Sequence, residues 1–77
     1  MDPPQHVYYQ DPRSLLVLTS NGKLKQLYVP IRVQNVSPLG NIPANTRMFV
    51  DEIQSHKKYR IIYRIMDTWY PYWHFTL

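Results

Sequence analysis

The stretch that decides the fold spans residues 15–29 and reads LLVLTSNGKLKQLYV. Two apolar runs flank Asn21-Gly22, and Asn-Gly between hydrophobic residues is the strongest short-range signal of a β-hairpin, because both turn residues must adopt positive φ. A hairpin centred on that turn pairs Leu16 with Leu27. The stretch therefore predicts two antiparallel strands early in the domain.

A short helix competes with this hairpin over residues 11–22. Asp11 could serve as the N-cap, Pro12 as the first helical residue and Gly22 as the C-terminal stop. Against the helix, the capping-box position is Ser14 rather than Glu or Gln. Weak helix formers also occupy much of the segment, namely Val17, Thr19, Ser20 and Asn21. The hairpin is the favoured interpretation, and the helix stays open as the alternative.

Apolar residues continue at every second position over residues 27–33, which predicts a half-buried strand. Pro30 donates no backbone hydrogen bond, so this strand should lie at an edge, bend or split there. Residues 37–45 are dense in turn-forming residues and predict the main loop.

Three further strands are predicted after that loop, separated by polar turns. The first covers residues 47–53, with a one-residue bulge at Asp51-Glu52 that keeps the apolar face inward. Residues 59–66 fit both a strand and a helix, and their Tyr and Ile content favours the strand. In the strand, alternation puts one set of side chains on the inward face, namely Tyr59, Ile61, Tyr63 and Ile65. Residues 72–77 alternate again, which predicts that Trp73 and Phe75 face the core.

Length and composition leave room for one small domain. The 77 residues include no cysteine, seven prolines and eleven aromatic residues (two Trp, seven Tyr and two Phe). Packing alone must therefore hold the fold, because no disulfide or thiolate-bound metal is available. We predict an extended N-terminal arm with one short strand at most over residues 1–13, which is rich in proline, and a single small β-barrel domain over residues 14–77.

No apolar run approaches the roughly 18 residues that span a bilayer, and the acidic, proline-rich start does not match a secretory signal. A soluble, cytoplasmic protein without a membrane partner is therefore expected.

Short strands with turn signals about every ten residues predict an all-β fold. At this size we expect a small five- to six-stranded SH3-like barrel, with an OB-like barrel as the alternative. Four segments resemble SH3-type barrels, namely Tyr8-Tyr9, residues 48–53, residues 59–65 and the aromatic residues 69–73. In SH3 domains such aromatic residues line a groove for proline-rich peptides. The Trp pair is interrupted here by Tyr70-Pro71-Tyr72, so the resemblance is applied to architecture only and identifies no specific family.

Catalysis is not indicated by any motif. The potential acid-base residues are scattered singly, and Asp51 and Glu52 would point to opposite faces of a regular strand. A metal site from His56, His74 and Asp67 would require the fold to bring them together, since no ligand spacing supports it. We therefore expect no enzyme, no cofactor and no metal site.

The basic residues are more informative, because nine Lys and Arg stand against five Asp and Glu, for a net charge of +4. No acid lies between Glu52 and Asp67, and strand geometry puts Arg60 and Arg64 on one face. Exposed aromatic residues beside such a stripe could stack on bases. The candidate nucleic-acid or partner-binding residues are Lys57, Lys58, Arg60, Arg64, Trp69, Tyr70 and Tyr72.

Two functions follow from this candidate surface. The first is a non-catalytic binding module that contacts nucleic acid through basic and aromatic residues. The alternative is a protein-protein interaction or self-assembling domain with no nucleic-acid role, in which an edge strand near Pro30 or the aromatic segment pairs with a partner. The partner, nucleic acid or protein, is undecided, and homo-oligomerisation stays open.

Overall fold

The computed structural model describes residues 6–77, which are all-β apart from one 3₁₀ turn and the connecting loops. In chain order the strands are β1 (His6–Asp11), β2 (Ser14–Leu18), β3 (Leu24–Tyr28), β4 (Ile31–Asn35), β5 (Arg47–Val50), β6 (Glu52–His56), β7 (Arg60–Ile65), β8 (Thr68–Pro71) and β9 (Phe75–Thr76). The 3₁₀ turn spans Tyr72–His74. This range holds no helix long and apolar enough to cross a membrane.

The strands form three antiparallel sheets of three strands each, in the orders β1-β2-β3, β5-β4-β9 and β6-β7-β8. The predicted all-β class is confirmed. Over residues 6–77, however, nine strands replace the expected five or six, and hydrogen bonding does not join them into one closed barrel. The number is larger because the chain leaves a sheet at Pro30 and again at Asp51, because the N-terminal segment is itself a strand, and because residues 68–71 form the additional strand β8.

The predicted hairpin is confirmed and excludes the helix over residues 11–22, but its register was predicted one residue out. Leu15 pairs with Leu27, and Leu16 pairs with Gln26. Thr19 N–H donates to the Lys23 carbonyl beyond the last residues of the two strands, so the loop proper is residues 20–22, three residues rather than two. Of these only Gly22 has positive φ (+78°). A three-residue loop with glycine in the left-handed position shifts the pairing by one relative to a two-residue Asn-Gly turn.

The N-terminal segment is tied to the body of the protein. Residues 1–5 of the predicted arm lie outside the described residues, and the rest of it contains β1, which pairs with β2. The backbone N–H of Arg13 donates to a side-chain oxygen of Asp11 at 2.8 Å, which lowers the pKa of that carboxyl. The amide of Ile53 in β6 donates to the Pro12 carbonyl at 2.9 Å and so links the first sheet to the third.

The core lies between the sheets and is built from inward-facing residues of every sheet. Its buried members are Val7, Leu15, Ile31, Val33, Met48, Val50, Ile53, Ile61, Tyr63, Ile65, Tyr72 and Phe75. The predicted inward faces of β5 to β7 are confirmed, including the break at Asp51 that returns Ile53 to the core. Burial also raises the pKa of the Tyr63 hydroxyl.

The main loop between β4 and β5 is held by the side chain of Asn35, which is fully buried. Its amide nitrogen donates to the carbonyls of Ser37 (3.0 Å) and Pro43 (2.8 Å). Its side-chain oxygen accepts from the backbone N–H of Thr46 at 2.7 Å. One side chain therefore satisfies backbone groups at both ends of a loop that has little regular structure of its own.

Candidate functional site

The loop between β6 and β7 is organised by His56, the last residue of β6. Its Nδ1 accepts hydrogen bonds from the backbone N–H groups of Lys58 (3.1 Å) and Tyr59 (3.2 Å). Arg60 then begins β7 with φ of +70°, a left-handed conformation that disfavours any side chain with a Cβ. The loop is thus fixed at its base, with consecutive cations at residues 57 and 58.

Three rings follow one another on the surface beside this loop. His56 stacks on Tyr59 with centroids 4.9 Å apart and an interplanar angle of 27°. Tyr59 in turn contacts Trp73 at 5.4 Å in a tilted arrangement. The Trp73 side chain is 42% exposed, so these rings form an aromatic surface that is open to solvent.

The prediction that Trp73 lies in the core is therefore wrong, whereas Phe75 is buried as predicted. The cause is the 3₁₀ turn that follows Pro71, because a turn of three residues per repeat interrupts the period of two. Tyr72 consequently points inward and is only 8% exposed, and Trp73 points outward.

Cations lie over the aromatic rings of this region. The Lys58 Nζ is 5.4 Å from the centroid of the Tyr59 ring, and the Arg60 Cζ is 5.8 Å from that of Tyr72. Arg60 Nη1 also makes a long hydrogen bond of 3.4 Å to the Tyr72 hydroxyl. We call this region the loop surface and define it by His56, Lys57, Lys58, Tyr59, Arg60, Tyr72 and Trp73.

Arg64 differs from the other predicted basic residues because carboxylates offset its charge. Its Nε is 2.7 Å from Asp51 Oδ1, and its Nη1 is 3.3 Å from Glu52 Oε1. The hydrogen bond to Asp51 raises the pKa of the guanidinium further. Arg64 also lies about 13 Å along the strand from Arg60, given the usual rise per residue. Arg60 and Arg64 therefore lie apart on β7, and the two carboxylates offset the charge of Arg64.

The aromatic residues that were predicted with this stripe are divided between surface and interior. Trp69 is 39% exposed and lies opposite Arg64 in the register of β7 and β8. Tyr70 is half-buried and contacts Phe75 edge-on at 5.8 Å. Tyr72 is buried beneath Arg60, where it supports the guanidinium. Of the predicted site residues, the loop surface brings together Lys57, Lys58, Arg60 and Tyr72.

The loop surface includes three residues that the sequence interpretation left out, namely His56, Tyr59 and Trp73. A sequence signal was available for His56, because a histidine directly before a polar turn can accept hydrogen bonds from the backbone of that turn. Tyr59 was assigned inward by alternation, but it belongs to the loop and is half-buried.

Two neighbouring acidic residues are engaged by a basic side chain. Asp51 and Glu52 both bind Arg64, which occupies them as ion-pair partners. Among residues 6–77, no group of three or more His, Asp or Glu side chains is placed to hold a metal ion.

No known protein family, curated protein or solved structure matches this chain.

Proposed function

We propose that this protein is a non-catalytic binding module that contacts single-stranded nucleic acid through the loop surface. The observation that carries the proposal is the chain of rings from His56 through Tyr59 to Trp73, with centroid distances of 4.9 and 5.4 Å, beside three cations. Bases stack on exposed aromatic rings, and Lys and Arg neutralise phosphates between the stacked bases. The site therefore combines the two contacts that single strands require.

Charge supports the same surface. No acidic residue lies between Glu52 and Asp67, and the two acids nearest in sequence on the N-terminal side bind Arg64 instead. Lys57, Lys58 and Arg60 thus present positive charge that no neighbouring carboxylate in the sequence offsets. This favours an anionic polymer over a neutral peptide as the ligand.

Backbone conformation also supports a functional role for Arg60. Holding a residue with a Cβ at φ of +70° costs about 1–2 kcal/mol, and glycine would avoid that cost. Such strain concentrates at binding sites, where a specific side chain is required.

The SH3-like arrangement expected for residues 14–77 is part of this proposal, and its support lies in residues 31–77. Its support is the chain path, in which β5 and β6 run on with only Asp51 between them and so take part in two sheets. The last strand, β9, also pairs with β4, the first strand of this segment. On this path the β6–β7 loop and the 3₁₀ turn meet at one end of the domain. A cytoplasmic location stays a prediction from sequence.

The salt dependence of binding tests the proposed function directly. We expect a labelled single-stranded oligonucleotide to bind with affinity that falls with salt at a log–log slope of about −2, since three cations each release about 0.7 counterion. Replacing Lys58 with Ala should reduce the magnitude of that slope by about 0.7. Fluorescence anisotropy over a salt series measures both values, and no binding at low salt would refute the proposal.

Two substitutions at Arg60 separate its conformational cost from its role in binding. Arg60→Gly and Arg60→Ala both delete the guanidinium, but only glycine relieves the positive φ. We expect the glycine variant to be more stable than the alanine variant by about 1 kcal/mol in urea unfolding. Both variants should lose affinity for the oligonucleotide equally. Retention of affinity in either variant would show that Arg60 does not contact the ligand.

A further inference from the structure

The edge strand β3 presents backbone groups that no described strand pairs with. Within residues 6–77, β3 pairs only with β2, so its other side is the free edge of the first sheet. The chain then passes to a different sheet at β4. β3 is also the least buried strand of the hairpin, with Leu24 65% exposed and Tyr28 64% exposed.

The register identifies which backbone groups point outward. Thr19 N–H donates to the Lys23 carbonyl at 2.8 Å, and Val29 N–H donates to the Arg13 carbonyl at 2.9 Å. Hydrogen-bonded pairs alternate along an antiparallel ladder, so residues 25 and 27 also face β2. The N–H and C=O groups of residues 24, 26 and 28 therefore point away from β2.

A groove runs beside this free edge, on the face of β3 that carries Lys25 and Leu27. Its volume is about 400 Å³. The groove is lined by Val17, Lys25, Leu27, Tyr28, Ile31 and Arg32, together with Leu77. The groove thus combines apolar walls with two cations. The sequence has no acid between Asp11 and Asp51.

We propose that β3 is an acceptor edge for an extended acidic peptide, which adds to the first sheet as a fourth strand. A peptide supplies the alternating donors and acceptors that the outward groups of residues 24, 26 and 28 require. Its side chains opposite Lys25 and Leu27 would enter the groove. A carboxylate opposite Lys25 and an apolar side chain opposite Leu27 complement that lining.

Two other occupants fit this edge less well. A DNA backbone offers phosphate acceptors but no donors for the outward carbonyls of β3, and an RNA backbone offers only its 2′-hydroxyl donors. A second copy of this chain pairing through β3 would bring the Lys25 and Arg32 side chains of both copies close to one another, and like charges in such positions repel. The acidic peptide is the occupant that satisfies both the backbone groups and the charge.

Amide hydrogen exchange tests the proposal with a defined probe, an end-capped synthetic peptide of repeating Thr-Glu-Thr-Val. We expect the peptide to slow exchange at the amides of Leu24, Gln26 and Tyr28. The amides of Lys25 and Leu27 already bond to β2 and should change little. A peptide with Lys in place of Glu, and one that is N-methylated at its Thr residues, should each give no protection.

Variants of the protein provide the matched comparison. Gln26→Pro removes an outward N–H and spares the ladder with β2, whereas Gln26→Ala keeps that N–H. Both lose the exposed hydrogen bond from the Gln26 side chain to Gln10, so the difference between them isolates the backbone donor. We expect Gln26→Pro to abolish peptide binding, Gln26→Ala to retain it, and Lys25→Glu to weaken it about tenfold.

Several outcomes would overturn the proposal. One is the absence of protection at residues 24, 26 and 28 when the peptide is in excess. Another is protection in the protein alone that rises with protein concentration, which would assign the edge to a second copy. A third is displacement of the peptide by a single-stranded oligonucleotide. The first two results involve neither the loop surface nor its nucleic-acid ligand, so the two proposals fail separately.

Discussion

Replacing Asn35 with Leu is expected to lower the free energy of unfolding by about 3 kcal/mol. The side chain is fully buried, and it makes three hydrogen bonds to backbone groups of the main loop, at Ser37, Pro43 and Thr46. Leucine fills a similar volume but leaves these groups without their partner. Urea unfolding followed by tryptophan fluorescence measures the loss.

The matched control for Asn35 is its neighbour Gln34, which reaches the same loop from the exposed face. Gln34 Nε2 donates to the Asn45 carbonyl at 3.1 Å in contact with solvent. We expect Gln34→Leu to cost less than about 1 kcal/mol, because water can replace an exposed partner. Equal losses in the two variants would contradict the role given to burial at Asn35.

Replacing Trp73 with Ala is expected to weaken binding of a single-stranded oligonucleotide by about tenfold or more, since each stacked base contributes about 1–3 kcal/mol. Trp73 is 42% exposed and stands at the end of the row of contacting rings that begins at His56, and Tyr59 supports it from one side. Trp73→Phe should retain most of the affinity, because it keeps an aromatic face. Anisotropy titrations at one salt concentration compare the variants.

Trp69 supplies the control for Trp73, because the two indoles are similarly exposed, at 39% and 42%. Trp69 lies opposite Arg64, whose charge is offset by carboxylates, and it is absent from the loop surface. We expect Trp69→Ala to leave affinity nearly unchanged. A larger loss at Trp69 than at Trp73 would move the interface to β8.

Much of the fold could be predicted from local patterns. Alternation placed Val33, Met48 and Ile61 in the core, and Asn-Gly located the first hairpin. The register of that hairpin could not be predicted, because a two-residue and a three-residue loop fit the same dipeptide and differ only in which residue adopts positive φ. One short strand at most was predicted in the arm over residues 1–13, but the pairing of residues 6–11 with β2 was not, since it depends on tertiary context.

The candidate site was less predictable than the fold. Local sequence identified Lys57, Lys58 and Arg60 as a basic segment. The pairing of Glu52 with Arg64 across β6 and β7, which offsets that arginine, is a consequence of strand register. The exposure of Trp73 depends on a 3₁₀ turn that the period of two could not reveal.

The most direct test of the account is to map the amide chemical shifts of the protein as a single-stranded oligonucleotide is added at low salt. Binding through the loop surface predicts that the largest changes cluster at residues 56–60 and at Trp73, and that they diminish as salt is added. The amides beside Arg64 and Trp69 should change much less. Changes confined to other parts of the chain, or no changes at low salt, would contradict the account.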